Sequence, residues 1–291
     1  MRQPPPRFSG WKAAELAADS RWVFNADPAL AVADALELGA WLAPLRHELL
    51  HGWGVAWVRG LADLPEPRLR RLFLAMGRAI GRPDTTYGEL YEVSDSGASH
   101  LERAIPISQT RAATTMHTDS SQRAIHPRWV GLACVRQAVE GGGSRLASAV
   151  AVHDHLAQQH PEALSRLYHS FYRDLVTPGG ARQQPQRLAN RFPIYQLADD
   201  GPSLRYMRYW IETGHARLDQ PLKPEDRQAF DRLDAALNDP RFRHDLRLAP
   251  GDLLFCDNHK TAHDRDSYCD DPTRPRLMLR MWLNAPREVQ D

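Results

Sequence analysis

Pro250-Gly251-Asp252-Leu253-Leu254-Phe255-Cys256-Asp257-Asn258-His259-Lys260-Thr261-Ala262-His263 is the stretch on which the fold turns. Pro-Gly-Asp is a turn signal. The apolar run Leu253–Cys256 that follows has the length and bounds of a buried strand. A polar loop comes next, and it delivers His263. A few residues later, Arg276-Leu277-Met278-Leu279-Arg280-Met281-Trp282-Leu283 alternates with a period of two. Its even members Arg276, Met278, Arg280 and Trp282 share one face, as in a barrel-like strand. Two arginines on one face of an apolar strand are costly unless they meet anions. In a chain this rich in arginine, a surface pair on an edge strand is the plainer alternative.

Far upstream stands His117-Thr118-Asp119. In an extended strand His117 and Asp119 point the same way, and Ala112–Met116 is compatible with a strand leading into them. Two imidazoles and one carboxylate can hold a divalent iron on one face and leave three positions open. Alone, the triplet is equally a surface histidine beside a turn aspartate. Three other clusters have structural readings. His153-Asp154-His155 opens a helical stretch, so Asp154 reads as a first-turn residue and both histidines as solvated. His259 and His263 have helical ligand spacing, but Asp257-Asn258 is loop-like and the glutamate of a zinc protease is missing. Gly141-Gly142-Gly143-Ser144 lacks the lysine of a phosphate loop and reads as a tight turn into a strand.

The order H-x-D, then Gly-Gly-x-Ser, then Gly-Asp-x-x-x-x-Asp-Asn-x-x-x-x-His, then Arg-x-x-x-Arg resembles the TauD/TfdA (clavaminate synthase-like) non-haem Fe(II)/2-oxoglutarate-dependent oxygenases. The similarity covers most of the chain, and Trp53–Gly60 resembles the family's early strand and Arg-Gly turn. The resemblance implies an α+β fold with a double-stranded β-helix (jelly roll) core and flanking and inserted helices. Strand pattern alone leaves a generic α+β protein an equal reading. The resemblance also implies that His117, Asp119 and His263 ligate Fe(II), with 2-oxoglutarate and O2 as co-substrates. Arg276 would pair with the distal carboxylate of 2-oxoglutarate, a geometry that suits a guanidinium fork. Ser144 would add a hydroxyl where the family often has threonine. Related halogenases carry a small residue where Asp119 stands, so the carboxylate favours hydroxylation or desaturation.

The function implied is a dioxygenase hydroxylating an unactivated C–H bond of a small polar molecule, an amino acid or amino-acid-derived natural-product intermediate, free or carrier-bound. The same site could instead catalyse desaturation, cyclisation or cleavage, including sulfonate or aryloxy-acid catabolism. A non-catalytic metal-binding jelly roll is the distant alternative. Arg280, one strand repeat beyond Arg276, would face substrate. Tyr91, and Arg208 and Glu212 in an expected strand over 204–212, are further candidates for substrate binding.

Elsewhere, apolar periodicity predicts a helix within 28–51, a second carrying Leu69–Ile80, a helical stretch over 151–169 broken at Pro161, and a helix over 224–237. Strands are expected over 55–58, 87–93, 128–139 and 143–150. Residues 1–10 read as a loose arm, and 177–191 as a lid or a disordered loop. The two halves of the proposed site lie on opposite sides of every candidate linker, so residues 1–291 are read as a single domain. The net charge of +1 gives no electrostatic case for nucleic acid. No run is long and apolar enough to span a membrane, and no secretory signal is seen, so a cytoplasmic enzyme is expected. Cys134, Cys256 and Cys269 are widely spaced and do not suggest a disulfide framework. Oligomeric state is not legible.

Overall fold

The computed structural model describes residues 10–97, 107–175 and 190–285. The expected arm (apart from Gly10) and the expected lid (apart from Asn190 and Arg191) lie outside the described residues.

Alternating side chains sort the core into layers. The larger sheet has seven strands. Its centre runs Val55–Arg59, Leu253–Asp257, Trp129–Arg136 and Leu277–Asn284, each antiparallel to its neighbour. Val23–Asn25 adds in parallel at one edge, and Tyr91–Val93 and Arg82–Pro83 both pair with Leu277–Asn284. The smaller sheet is antiparallel, in the order Arg243–Leu246, Ser144–Ser148, Thr261–Arg265.

Leu253, Phe255, Leu279, Met281 and Leu283 point away from the smaller sheet. They pack on Leu42, Leu45 and Leu49 of helix Ala35–His51 and on Leu72, Phe73 and Met76 of helix Glu66–Ile80. Leu254, Cys256, Val130, Cys134 and Met278 point the other way and meet Leu146 and Leu246 of the smaller sheet. Ala147 and Ala262, on that sheet's far face, pack with helices Ala149–Gln159, Pro161–Leu167 and Pro224–Leu237. The order is helices, sheet, sheet, helices. Each Leu or Phe withdrawn from water in this way contributes about 1.5–3 kcal/mol. Even-numbered residues of Leu277–Asn284 face the space between the sheets, which is where Arg280 and Trp282 lie.

Three expectations are corrected. Residues 204–212 do not form one strand. Gly201–Leu204 is a strand, and Arg208–Arg217 is a helix. Its aromatic and β-branched residues suggested a strand, but the Arg208–Glu212 pair (2.8 Å) closes one helical turn. The strand expected over 87–93 is confined to Tyr91–Val93, after a turn in which Gly88 has a φ of 85°. His117-Thr118-Asp119 is an isolated bridge to the smaller sheet, and the chain turns at once at Ser120, whose φ is 57°.

Candidate active site

That bridge joins the two halves of the site. The His117 N–H donates to the His263 carbonyl (3.0 Å) and the His263 N–H returns the bond (2.9 Å), so the two residues sit directly opposite on neighbouring chains. Their rings lie 4.6 Å apart. His117, Asp119 and His263 each offer a ligand atom, all within 4.8 Å of one another, and no other such group occurs among the described residues.

The ring nitrogens are aimed by their surroundings. His117 Nδ1 lies 2.7 Å from the Thr115 carbonyl, which can only accept. Nδ1 therefore carries the proton, and the lone pair is on Nε2, 3.7 Å from Asp119 Oδ1. Burial, reinforced by the neighbouring His117, pushes His263 down to about 3, which keeps its ring neutral near pH 7. Burial alone would raise the Asp119 carboxyl. The charge of Arg280 instead holds it well below the ordinary carboxylate range. A neutral His263 and an ionised Asp119 are the protonation states a divalent metal requires of those two groups.

Asp119 is held on every side. The Trp282 indole donates to Oδ2 (2.8 Å) and Arg280 to Oδ1 (3.3 Å). Asn258 accepts from the Asp119 N–H (2.8 Å) and donates to its carbonyl (3.1 Å). Thr118, fully buried, bonds Tyr206 through both backbone and hydroxyl. The turn that carries Asn258 is pinned in turn by Lys260, whose ammonium donates to Asp200 and to the carbonyls of Gly201 and Pro202.

Arg276 is 1% exposed. Its Nε donates to Gln137 (3.2 Å), and its Nη1 is buried with no partner. Burial and the charge of Arg265 push the guanidinium down to about 10, so it remains charged. The glycine turn explains the close approach. Gly142, with φ 69°, would place a Cβ 3.2 Å from Arg276 Nε. Ser144 follows that turn and is paired with Arg265 on the neighbouring strand of the smaller sheet. An unmet, buried guanidinium donor fits a carboxylate, and so fits the distal end of 2-oxoglutarate.

Arg280 lies between the rings of Tyr91 (5.1 Å) and Trp282 (5.0 Å). Together with Asp84 and Tyr87 these residues line a small pocket, and the Tyr91 hydroxyl is buried without a partner. Arg208 and Glu212 are not brought into this group. Arg208 is shared among Glu212, Asp231 and Asp234 on the helix Arg208–Arg217 and its neighbour Pro224–Leu237. His153-Asp154-His155 lies in helix Ala149–Gln159, with His153 bonded to Tyr168.

The family model "Taurine catabolism dioxygenase TauD, TfdA family" matches residues 13–282. The chain belongs to the TauD/TfdA family. It is an Fe(II)- and 2-oxoglutarate-dependent dioxygenase with a jelly-roll core. Among TauD/TfdA relatives, it is 24% identical to FR-33289 synthase of Streptomyces rubellomurinus over 98% of this chain and 91% of that protein. It is 30% identical to clavaminate synthase 2 of Streptomyces clavuligerus over 75% of this chain and 62% of that protein. The solved structure of an asparagine oxygenase with Fe(II), 3-hydroxyasparagine and succinate superposes with a TM-score of 0.65. It covers 91% of this chain and 94% of that one at 16% identity. Among the described residues, no helix is long and apolar enough to cross a membrane.

Two residues at the TauD/TfdA site were not singled out by sequence. Trp282 was visible only as a member of the even-numbered face. His126, stacked on His259 at 4.6 Å and bonded to Thr118, had no sequence signal.

Proposed function

We propose that His117, Asp119 and His263 hold the Fe(II), that Arg276 and Ser144 hold the distal carboxylate of 2-oxoglutarate, and that Arg280 and Tyr91 receive substrate within a single catalytic domain. The observation that carries this reading is the convergence of three ligand atoms within 4.8 Å, with Asp119 itself bonded to Arg280. Bound iron and 2-oxoglutarate would together supply the oxidising power to break a C–H bond with O2. The protein's share is to place, charge and enclose the reactants. Asp119, kept ionised, would supply the negatively charged ligand to the metal. Arg276, charged and buried, would fix the co-substrate's far end and so its orientation. Trp282 and Tyr91 would wall the pocket against water, and Arg280 would anchor an acidic group of the substrate.

The substrate class we infer is a small, anionic or zwitterionic molecule of the amino-acid type, free or carrier-bound, and the outcome hydroxylation. The pocket's cation between two aromatic rings supports this, as does the likeness to an oxygenase that holds hydroxyasparagine. The free cysteines suit a reducing, cytoplasmic setting. The test is a panel of amino acids and carrier-bound analogues supplied with Fe(II), ascorbate and 2-oxoglutarate. Succinate and a product heavier by one oxygen are expected from one member. Both should vanish in His263→Ala and Asp119→Ala. Succinate formation that persists in either variant, under substrate-coupled conditions, contradicts the assignment of the ligands.

A further inference from the structure

Tyr268 sits where no family motif pointed. Its ring is in contact with two buried guanidinium groups, Arg265 at 4.9 Å and Arg276 at 5.1 Å from the ring centroid. Neither arginine has a carboxylate within ion-pair distance among the described residues. Arg265 Nη2 donates to the carbonyls of Thr110 and Ala112, which leaves its charge unneutralised. Two like charges held together out of water call for an anion. Three donors in this cluster are buried without a partner, Arg276 Nη1, Arg265 Nε and the Tyr268 hydroxyl, as is Oδ2 of Asp270, whose Oδ1 accepts from the Arg276 N–H. One such orphan is an oddity of packing. Three around one ring mark a place that a ligand completes.

The position also fits. Tyr268 pairs with Gly141, so its backbone is fixed on the glycine turn that lets Arg276 approach. Ser144, at the end of that turn, is paired with Arg265 on the neighbouring strand of the smaller sheet. Burial pushes the phenol up against the pull of the two arginines, so the hydroxyl keeps its proton and is available to donate. A carboxylate offers about four acceptor sites. A guanidinium fork fills two of them, which leaves room for two hydroxyls.

We propose that the Tyr268 hydroxyl donates a hydrogen bond to the distal carboxylate of 2-oxoglutarate, as a third donor beside Arg276 and Ser144. This rests on the reading of Arg276 as the clamp. Tyr268→Phe keeps the ring in contact with the guanidinium groups and removes only the hydroxyl. In Mn(II)-loaded protein, calorimetric titration with 2-oxoglutarate should show affinity weakened about tenfold, the effect of losing one hydrogen bond to a charged group. The melting temperature of the metal-free protein without 2-oxoglutarate should not fall, because the hydroxyl has no protein partner to lose. Unchanged affinity would overturn the proposal. So would a loss of affinity matched by a fall in melting temperature, which would mark Tyr268 as packing. Arg276→Leu in the same titration separates the two claims. If Arg276→Leu leaves the affinity intact, the clamp reading fails and this inference falls with it. If Arg276→Leu abolishes binding while Tyr268→Phe binds normally, only the role of Tyr268 is lost.

Discussion

Asp119 is gripped at both carboxylate oxygens and at both backbone groups, and this grip is more selective than a metal ligand needs for position alone. Trp282 is the neutral donor in it. Its indole also packs on Tyr87 at 5.5 Å and on the Arg280 guanidinium, so it joins the pocket wall to the carboxylate. Partners that orient a metal ligand commonly contribute about 10–100-fold in metal affinity. Trp282→Phe, which keeps an aromatic wall, is therefore expected to weaken Co(II) or Mn(II) binding within that range, as read by direct titration. Affinity equal to that of the unaltered protein would show that Arg280 and Asn258 suffice. The three candidate ligand residues could be named from the sequence because their order and spacing resemble a known pattern, and the structure brings their ligand atoms within 4.8 Å of one another. Trp282 was legible only as a face, since which atom an indole meets depends on a chain segment more than a hundred residues away. The unmet hydroxyl of Tyr268 was not legible at all, because having no partner is a property of the folded surroundings.

Helix Arg208–Arg217 shows how local preference misleads. Leu204-Arg205-Tyr206-Met207-Arg208-Tyr209-Trp210-Ile211 is rich in residues that favour strands, yet of these only Leu204 belongs to a strand and Arg208 onward is helical. Beyond it, Arg208 binds Glu212 one turn on and reaches Asp231 (2.6 Å) and Asp234 (2.9 Å) of helix Pro224–Leu237. Contacts with a distant helix decide the matter, and no window of sequence contains them. Arg208 thus reads as a tie between two helices. Arg208→Ala is expected to lower the melting temperature by an amount consistent with about 1 kcal/mol, since the pairs are partly exposed and screened. It should leave 2-oxoglutarate affinity and kcat/KM unchanged. A large fall in kcat/KM at constant stability would restore Arg208 to the substrate site. Strands with strict alternation were read well, above all Leu277–Asn284, because both faces are buried in different company and a slip of one residue would exchange them.

Two sheets with helices outside each enclose an interior space between them, and the candidate site residues enter it from separate stretches of the chain: His117 and Asp119, Ser144, His263, and Arg276 to Trp282. That recurrence explains how residues far apart in sequence come to meet. The layered order was legible only in part. Period-two patterns named the strands, whereas the family resemblance supplied their arrangement, because pairing between distant strands leaves no local trace. The most direct test of the converging site is the stoichiometry of iron itself. Anaerobic titration of purified, metal-free protein with Fe(II) in the presence of 2-oxoglutarate should saturate at one iron per chain. Binding should be lost in His117→Ala, Asp119→Ala and His263→Ala, with each variant still folded by circular dichroism. One tightly held iron in all three folded variants would place the metal elsewhere and contradict the site described here.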